Sequence, residues 1–113
     1  MNDRDNLIIQ KIREEAKVIN ELVAACSLDR DGFLGDEKTK RAVCMTLINI
    51  GELVKLLTDE FKKANSVIPW RKISGLRDVA AHGYFALRME DIWETITSDI
   101  PALVNDIERM SRM

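Results

Sequence analysis

Residues 43–57 read VCMTLINIGELVKLL, and this stretch decides the fold class. Its apolar residues are too dense for a helix that buries only one face, because a surface helix keeps polar residues on its opposite face. The stretch therefore predicts a central helix that neighbouring elements cover on more than one side. We expect this helix to begin after Asp36, which suits an N-cap with acidic Glu37 in the first turn, and to run to about Ala64.

A second helix signal precedes the central helix. Apolar residues at three-, four- and seven-residue spacings predict an amphipathic helix from about residue 5 to residue 27. The members of this stripe are Ile8, Ile12, Ile19, Val23 and Cys26. The stretch LDRDGFLGD at residues 28–36 then breaks the periodicity, so it predicts a connection.

A short third helix, PWRKISGLRDVAAH, is predicted after the central helix. Asn65 and Ser66 favour a turn before it, and Pro69 suits its first position because that position needs no backbone donor. Gly83 follows the helix and is expected to end it in the left-handed conformation.

The last predicted helix spans roughly Met89 to Arg112. Pro101 falls inside it, so we expect a kink near Thr97 to Asp99, where proline removes a backbone hydrogen bond. The side chains that this helix is predicted to bury are Ile92, Trp93, Ile96, Ile100, Leu103, Val104 and Ile107.

These patterns predict the architecture. No segment alternates apolar and polar residues with period two, and no internal repeat is present. The chain is therefore expected to form an all-α, antiparallel bundle of four to five helices, as a single domain over residues 1–113. Long helices in so small a domain leave apolar surface uncovered, and 46% of the residues are hydrophobic. We therefore expect a homodimer.

Composition and charge exclude several classes of function. No run approaches the roughly 20 apolar residues of a membrane span, and the N-terminus lacks the apolar segment of a secretory signal, so we expect a cytosolic protein. A net charge of −2 argues against a non-specific nucleic-acid coat and leaves a local basic cleft open. Cys26 and Cys44 lack metal-ligand spacing, so reduced core thiols, no metal and no cofactor are expected.

Residues 77–85 read RDVAAHGYF and contain the only His and the only Tyr of the chain. His82 lies at the predicted end of the third helix, where the helix dipole favours the imidazolium form, so a helix-capping cation is one interpretation. Arg77 lies five residues earlier, about 140° around an ideal helix. Spacing alone therefore does not place the two side chains on one face.

One stripe of the central helix carries three polar groups in an apolar run. Its members are Arg41, Met45, Asn49, Glu52 and Leu56. Burying Glu52 without a counter-charge is costly, so a cation nearby is expected, and Arg77 is the candidate. This pair can be an inter-helix salt bridge and nothing more, with Asn49 only a hydrogen bonder between helices. Alternatively, the pair supports a reactive site.

The reactive interpretation rests on the chemistry of a phosphodiester. A His side chain can take a proton from a ribose 2′-hydroxyl or deliver one to the leaving oxygen, and an Arg can hold the phosphoryl oxygens through two hydrogen bonds. Such cleavage needs no metal ion. One His does not conveniently serve as both acid and base, but a symmetric dimer would bring a second copy to the same cleft.

The chain resembles the HEPN superfamily, specifically its HepT-like branch of small toxins. The resemblance lies in Arg77, four residues, then His82, Gly83 and Tyr84, within the string GLRDVAAHGYF at residues 75–85. Further similar stretches are IGE at 50–52, IPW at 68–70, DIW at 91–93 and DIPAL at 99–103. The resemblance is strongest from Val67 to Leu103.

Membership of that branch implies an all-α bundle, a homodimer with the motif at an interface cleft, and metal-independent RNase activity. Arg77 and His82 would be the catalytic pair. Tyr84 would be the tyrosine onto which a partner antitoxin, a minimal nucleotidyltransferase, transfers AMP, and a bulky anion near His82 would block the cleft. Asp78 departs from the uncharged Asn that relatives often carry, and a carboxylate facing the cleft would weaken RNA binding.

Two other classes of function stay open. The chain could be a nucleotide-binding or regulatory partner of a nucleotidyltransferase that cleaves nothing, or a purely structural helical dimer. Trp70 and Trp93 could stack on nucleic-acid bases or could fill the core.

Overall fold

The computed structural model describes residues 3–26, 29–86 and 88–111, the side chain of residue 111 excepted. Within these ranges the regular structure is helical and no strand is present, so the all-α prediction is confirmed. The elements in chain order are α1 (Asp3–Ala25), α2 (Arg30–Leu34), α3 (Glu37–Lys55), α4 (Asp59–Ala64), α5 (Trp70–Ser74), α6 (Leu76–Phe85), α7 (Met89–Glu94), a π-helical segment (Thr95–Asp99) and α8 (Ile100–Ser111).

Helix α3 lies at the centre of the bundle, with α1 packed on one side and α5 and α6 on the other. Asp36 is its N-cap as predicted, and its carboxylate accepts a hydrogen bond of 3.1 Å from the backbone N–H of Thr39. The residues of α3 that neighbouring elements bury are Val43, Cys44, Thr46, Leu47, Ile50, Gly51 and Val54. The prediction that more than one side of this helix is covered is therefore confirmed.

The central helix ends at Lys55, so the prediction that it continues to Ala64 is wrong. The helix does not continue because Thr58 takes an extended backbone conformation and caps a new helix, α4. The carboxylate of buried Asp5 in α1 accepts hydrogen bonds from the Thr58 backbone N–H at 3.0 Å and from its hydroxyl at 2.7 Å. Burial of Asp5 opposes ionisation, but these two bonds together with the positive charge of Arg4 hold the pKa of the carboxyl below its ordinary value.

The predicted third helix is divided at Gly75 into α5 and α6, and Pro69 precedes α5 as its N-cap. Gly83 does not end α6, so the prediction of a left-handed terminus there is wrong: the helix continues to Phe85. Gly83 is instead a packing position. An added Cβ would lie 2.8 Å from Cδ1 of Ile92 in α7, so the Ile92 side chain would have to shift to admit any larger residue.

The predicted kink in the last helix is confirmed and takes the form of the π-helical segment Thr95–Asp99. A π-helical turn accommodates Pro101, which lacks the N–H that an α-helix would use. The hydroxyl of Thr97 donates a hydrogen bond of 2.8 Å to the carbonyl of Trp93. The predicted end at Arg112 and the predicted first-helix end at residue 27 lie outside the described residues.

The predicted core is largely confirmed. All predicted members of the stripe on the first helix are buried except Cys26, which is partly buried. All predicted core residues of the last helix are buried except Trp93 and Val104, which are half-buried. Trp70 is buried, and its indole N–H donates to the carbonyls of Lys62 and Asn65 at 3.2 and 3.1 Å, so it fills the core.

Neither cysteine forms a disulfide. Burial raises the pKa of the Cys44 thiol, as expected for a reduced core residue. Over the described ranges, no helix has the length and apolar character needed to cross a membrane.

The backbones of α3 and the α5–α6 segment approach each other closely at Gly51. A Cβ added there would lie 2.9 Å from the Arg77 backbone nitrogen, 2.9 Å from the Ser74 carbonyl oxygen and 3.0 Å from the Arg77 Cβ. Two of these neighbours are backbone atoms, which cannot rotate away as a flexible side chain can. Gly51 therefore sets the distance between α3 and the start of α6.

We predict that Gly51→Ala lowers the free energy of unfolding by about 1–3 kcal/mol, because a methyl group at this contact forces the α5–α6 backbone away from α3. Chemical denaturation of the two proteins measures the difference. Gly35→Ala is the matched control, since a Cβ at Gly35 meets nothing closer than 3.4 Å. Equal stabilities of Gly51→Ala and the wild type would contradict the close contact.

Candidate active site

Helix α6 displays the RDVAAHGYF stretch with one buried and one exposed side. Leu76, Ala80 and Gly83 are buried, at the three- and four-residue spacings of a helix face. Arg77 and His82 are both exposed. Arg77 lies at the edge of α6 that meets α3, whereas His82 lies at the edge that meets α7. The two side chains therefore border the same exposed surface from opposite edges.

Two carboxylates hold the guanidinium of Arg77. Its Nε lies 3.1 Å from Oε1 of Glu52 on α3, and its Nη1 donates a hydrogen bond of 3.1 Å to Oδ1 of Asp78. The predicted pairing of Glu52 with Arg77 is confirmed. The expectation that Glu52 is buried is wrong, because its side chain is 51% exposed and also lies 3.6 Å from Nζ of Lys55. An exposed pair of this kind orients Arg77 and contributes little stability.

His82 lines an open groove of about 440 Å³ between α6 and the α7–π segment. No hydrogen-bond or ion-pair partner of its imidazole is found within the described part of the chain. His82 belongs to the last turn of α6, as predicted, and its carbonyl accepts a hydrogen bond of 2.8 Å from Ala86. The imidazole is therefore open to a molecule that enters the groove.

Tyr84 lies on the α3 side of α6, away from the groove of His82. Its hydroxyl donates a hydrogen bond of 3.4 Å to Oε1 of Glu37, which also accepts one of 3.1 Å from Nε of Arg41. The hydrogen bond to Glu37 is the largest of the causes that raise the pKa of Arg41. The family resemblance implied that Tyr84 and His82 share one cleft; in this chain they line separate grooves.

Glu37 is a site residue that the sequence analysis treated only as part of a helix start. Its carboxylate joins Tyr84 to Arg41 and also lies 3.3 Å from Nζ of Lys40. These contacts lower the pKa of Glu37, with the hydrogen bond from Arg41 as the largest cause. The four-residue spacing of Glu37 and Arg41 on α3 indicates that these two side chains pair. No sequence pattern could link Glu37 to Tyr84, which lies 47 residues away.

A groove of about 230 Å³ lies beside Tyr84, and its walls are almost entirely apolar. The residues that line it are Arg41, Cys44, Met45, Ile48, Ala80, Ala81, Tyr84 and Phe85. Met45 and Phe85 are 58% and 84% exposed, which is unusual for such large apolar side chains. This groove is an uncovered apolar surface on the α3 side of α6.

Asn49 lies apart from the catalytic candidates. Its Nδ2 donates a hydrogen bond of 3.3 Å to Oε1 of Glu15, so it joins α3 to α1. This contact matches the interpretation of Asn49 as a hydrogen bonder between helices. The stripe to which it belongs is the exposed side of α3, since Arg41, Met45, Glu52 and Leu56 are all exposed.

The structure thus brings the sequence-predicted residues together in two groups. One is Arg77 with Glu52 and Asp78, and the other is Tyr84 with Arg41; His82 stands in its own groove. Across the residues that the structure describes, no three His, Cys, Asp or Glu side chains converge as a metal ion would require.

Comparisons with known proteins place the chain in a family. The family model described as ribonuclease HepT-like matches residues 12–110. The chain is 35% identical over 102 residues to a protein named "Putative RNase" from Caldanaerobacter subterraneus subsp. tengcongensis, covering 90% of this chain and 89% of that protein. It is 33% identical over 104 residues to a probable ribonuclease HepT from Thermococcus cleftensis, covering 92% of this chain and 93% of that protein. No solved structure matches the chain.

An all-α bundle that displays an Arg, a His and a Tyr in this spacing from one exposed helix defines a HEPN-type domain. The extent of the family match makes the assignment more specific. The chain belongs to the ribonuclease HepT-like family.

Proposed function

We propose that this protein is a metal-independent ribonuclease in which Arg77 and His82 act on one phosphate of RNA. The observation that carries the proposal is the ribonuclease HepT-like match over residues 12–110, a range that contains an exposed Arg77 and an exposed His82 on one helix. Relatives that cover most of this chain carry ribonuclease names, which supports the same activity.

The reaction begins at a ribose 2′-hydroxyl. An imidazole accepts the proton of this hydroxyl, its oxygen forms a bond to phosphorus, and the bond from phosphorus to the 5′-oxygen breaks. The departing 5′-oxygen takes up a proton from an imidazolium. Arg77 stabilises the negative charge that builds on the phosphoryl oxygens. His82 faces open space and Arg77 is half-exposed, so an RNA phosphate can reach both of the side chains that these steps use.

The two carboxylates on Arg77 have different roles in this reaction. Glu52 holds Nε from the α3 side at 3.1 Å and keeps the guanidinium facing the exposed surface. Asp78 bonds to Nη1 at 3.1 Å, one of the donors that a phosphate would use. The phosphate therefore displaces Asp78, and this carboxylate opposes RNA binding.

A homodimer is part of the proposal. The support is the uncovered apolar groove beside α3, where Met45 and Phe85 leave large apolar side chains exposed. Covering such a surface with a second copy stabilises a dimer, and a two-fold axis places the same surface on both sides of the interface. The proposed two-fold axis crosses the exposed surface of α6 that Arg77 and His82 border, so that one cleft holds both His82 side chains and one acts as base while the other acts as acid.

We predict that Arg77→Ala and His82→Ala each reduce RNA cleavage about 100-fold or more in excess chelator, because each removes a group that acts in the transition state. Gel assays of single-stranded RNA measure the rates. Asp78→Asn is the matched control on the same helix, and it should cleave at least as fast as the wild type since it frees one donor of Arg77. The nuclease proposal fails if wild type and both alanine variants are equally active or equally inert.

We further propose that a minimal nucleotidyltransferase acts as antitoxin and transfers AMP from ATP onto the hydroxyl of Tyr84, with release of pyrophosphate. The hydroxyl lies 3.4 Å from Oε1 of Glu37 and belongs to a half-buried side chain that lines the apolar groove. Tyr84 and Arg77 both face α3, seven residues apart on α6 and thus roughly 10 Å along the helix axis. A negative adenylate at Tyr84 therefore repels an RNA phosphate that approaches Arg77.

We predict that co-expression with a minimal nucleotidyltransferase from an adjacent reading frame adds one adenylate to the wild type and none to Tyr84→Phe. Intact-mass measurement reads the change directly. The modified protein should lose cleavage activity, whereas unmodified Tyr84→Phe should keep it. An unchanged mass of the wild type would remove the modification from the proposal and leave the nuclease proposal intact.

One observation favours a second candidate function, a regulatory partner of a nucleotidyltransferase that cleaves nothing. The Arg77 guanidinium already pairs with the carboxylates of Glu52 and Asp78, so its positive charge is more than balanced before any phosphate binds. If Asp78 is not displaced, the chain binds its partner through Tyr84 and has no nuclease activity. The cleavage assay of the wild type separates these two functions.

A further inference from the structure

The groove that His82 lines is polar and has room for more than a phosphate. Its volume is about 440 Å³, within the range of small-molecule sites. One wall is α6, and the opposite wall is α7 with the π-helical segment, where Thr95 and Ser98 face the groove. Because π-helical turns change which side chains a helix presents, they often occur at functional sites.

The charges that line this groove oppose phosphate. Lys72 and Arg88 are the cations, but Lys72 lies 3.1 Å from Oδ1 of Asp99, and Arg88 lies 2.9 Å from Oδ2 of Asp91. Each cation is therefore neutralised by a carboxylate. A third carboxylate, Glu94, also lines the groove, so the fixed charges sum to −1 when His82 is neutral. A groove with this balance repels phosphate and attracts N–H donors.

Glu94 is the carboxylate that can accept a hydrogen bond from such an N–H donor. It is exposed on α7, and within the described residues its carboxylate has no hydrogen-bond or ion-pair partner. Asp91 lies one turn before it and Ser98 just over one turn after it, both along the same groove. Glu94 therefore offers two free acceptor oxygens in the same groove as the imidazole of the proposed acid or base.

We propose that this groove binds a base of single-stranded RNA beside the cleaved phosphate, and that Glu94 selects cytosine over uracil. The proposal rests on the proposed ribonuclease function. A carboxylate accepts a hydrogen bond from the exocyclic amino group of cytosine, whereas uracil places a carbonyl oxygen at the same position and repels it. Unstacked bases of single-stranded RNA expose these edges, and the phosphate stays at the exposed surface of α6 that Arg77 and His82 border, outside the groove itself.

The test uses short oligo-C and oligo-U strands with every ribose 2′-O-methylated, so that they bind without being cut. The full-length wild type should bind oligo-C about tenfold more tightly than oligo-U in fluorescence anisotropy. Glu94→Gln should reduce this ratio to near one, because its amide can also donate to the uracil carbonyl. Both ligands are pyrimidine strands of equal charge, so the ratio of their affinities measures how the groove distinguishes the hydrogen-bonding edges of the two bases.

Glu90→Gln is the matched control. It removes the same charge from the same helix one turn earlier, but Glu90 lies outside the groove, 3.9 Å from Arg30. This variant should keep the tenfold preference. Equal wild-type affinities for the two strands, or a preference that survives Glu94→Gln, would overturn the inference.

The outcomes also separate this inference from the ribonuclease proposal. A wild type that prefers oligo-C but cleaves no unmodified RNA upholds base recognition and removes the nuclease. A wild type that cleaves RNA but binds both strands equally removes base recognition and upholds the nuclease.

Discussion

The close approach of α3 and α6 at Gly51 is the constraint on which the rest of the structure depends. The Arg77 backbone nitrogen lies 2.9 Å from the point where a side chain of residue 51 would begin, so the start of α6 packs directly on the central helix. Glu52, the next residue on α3, is thereby brought within 3.1 Å of the Arg77 guanidinium. Gly51 therefore determines both how closely α3 and α6 pack and where the Arg77 side chain lies.

A second glycine fixes the other edge of α6. Gly83 lets Ile92 of α7 pack against the helix backbone, which places the α7–π wall opposite His82. With both faces held, α6 exposes a narrow surface that has Arg77 on one edge and His82 on the other. Arg77, the proposed anion-binding group, and His82, the proposed proton-transfer group, thus occupy different environments, the first between two carboxylates and the second in an open groove.

The sequence predicted the features that depend on local chemistry. The cap at Asp36 and the kink caused by Pro101 followed from residue type and helical spacing. The pairing of Glu52 with Arg77 was also predicted, but from an expected burial of Glu52 that the structure does not show. The sequence did not predict the end of α3 at Lys55, because that break is stabilised by Asp5, 53 residues from Thr58. For the same reason, the separation of Tyr84 from His82 required knowledge of which helices pack on each side of α6.

The central claim is that Arg77 and His82 cleave RNA through a ribose 2′-hydroxyl, and the chemistry of the product ends tests it most directly. Mass spectrometry of fragments formed in excess chelator should find a 2′,3′-cyclic phosphate, or the monophosphate left when it opens, and a 5′-hydroxyl. Fragments with 3′-hydroxyl and 5′-phosphate ends would contradict the claim, because those ends arise when water, not the ribose hydroxyl, attacks the phosphorus.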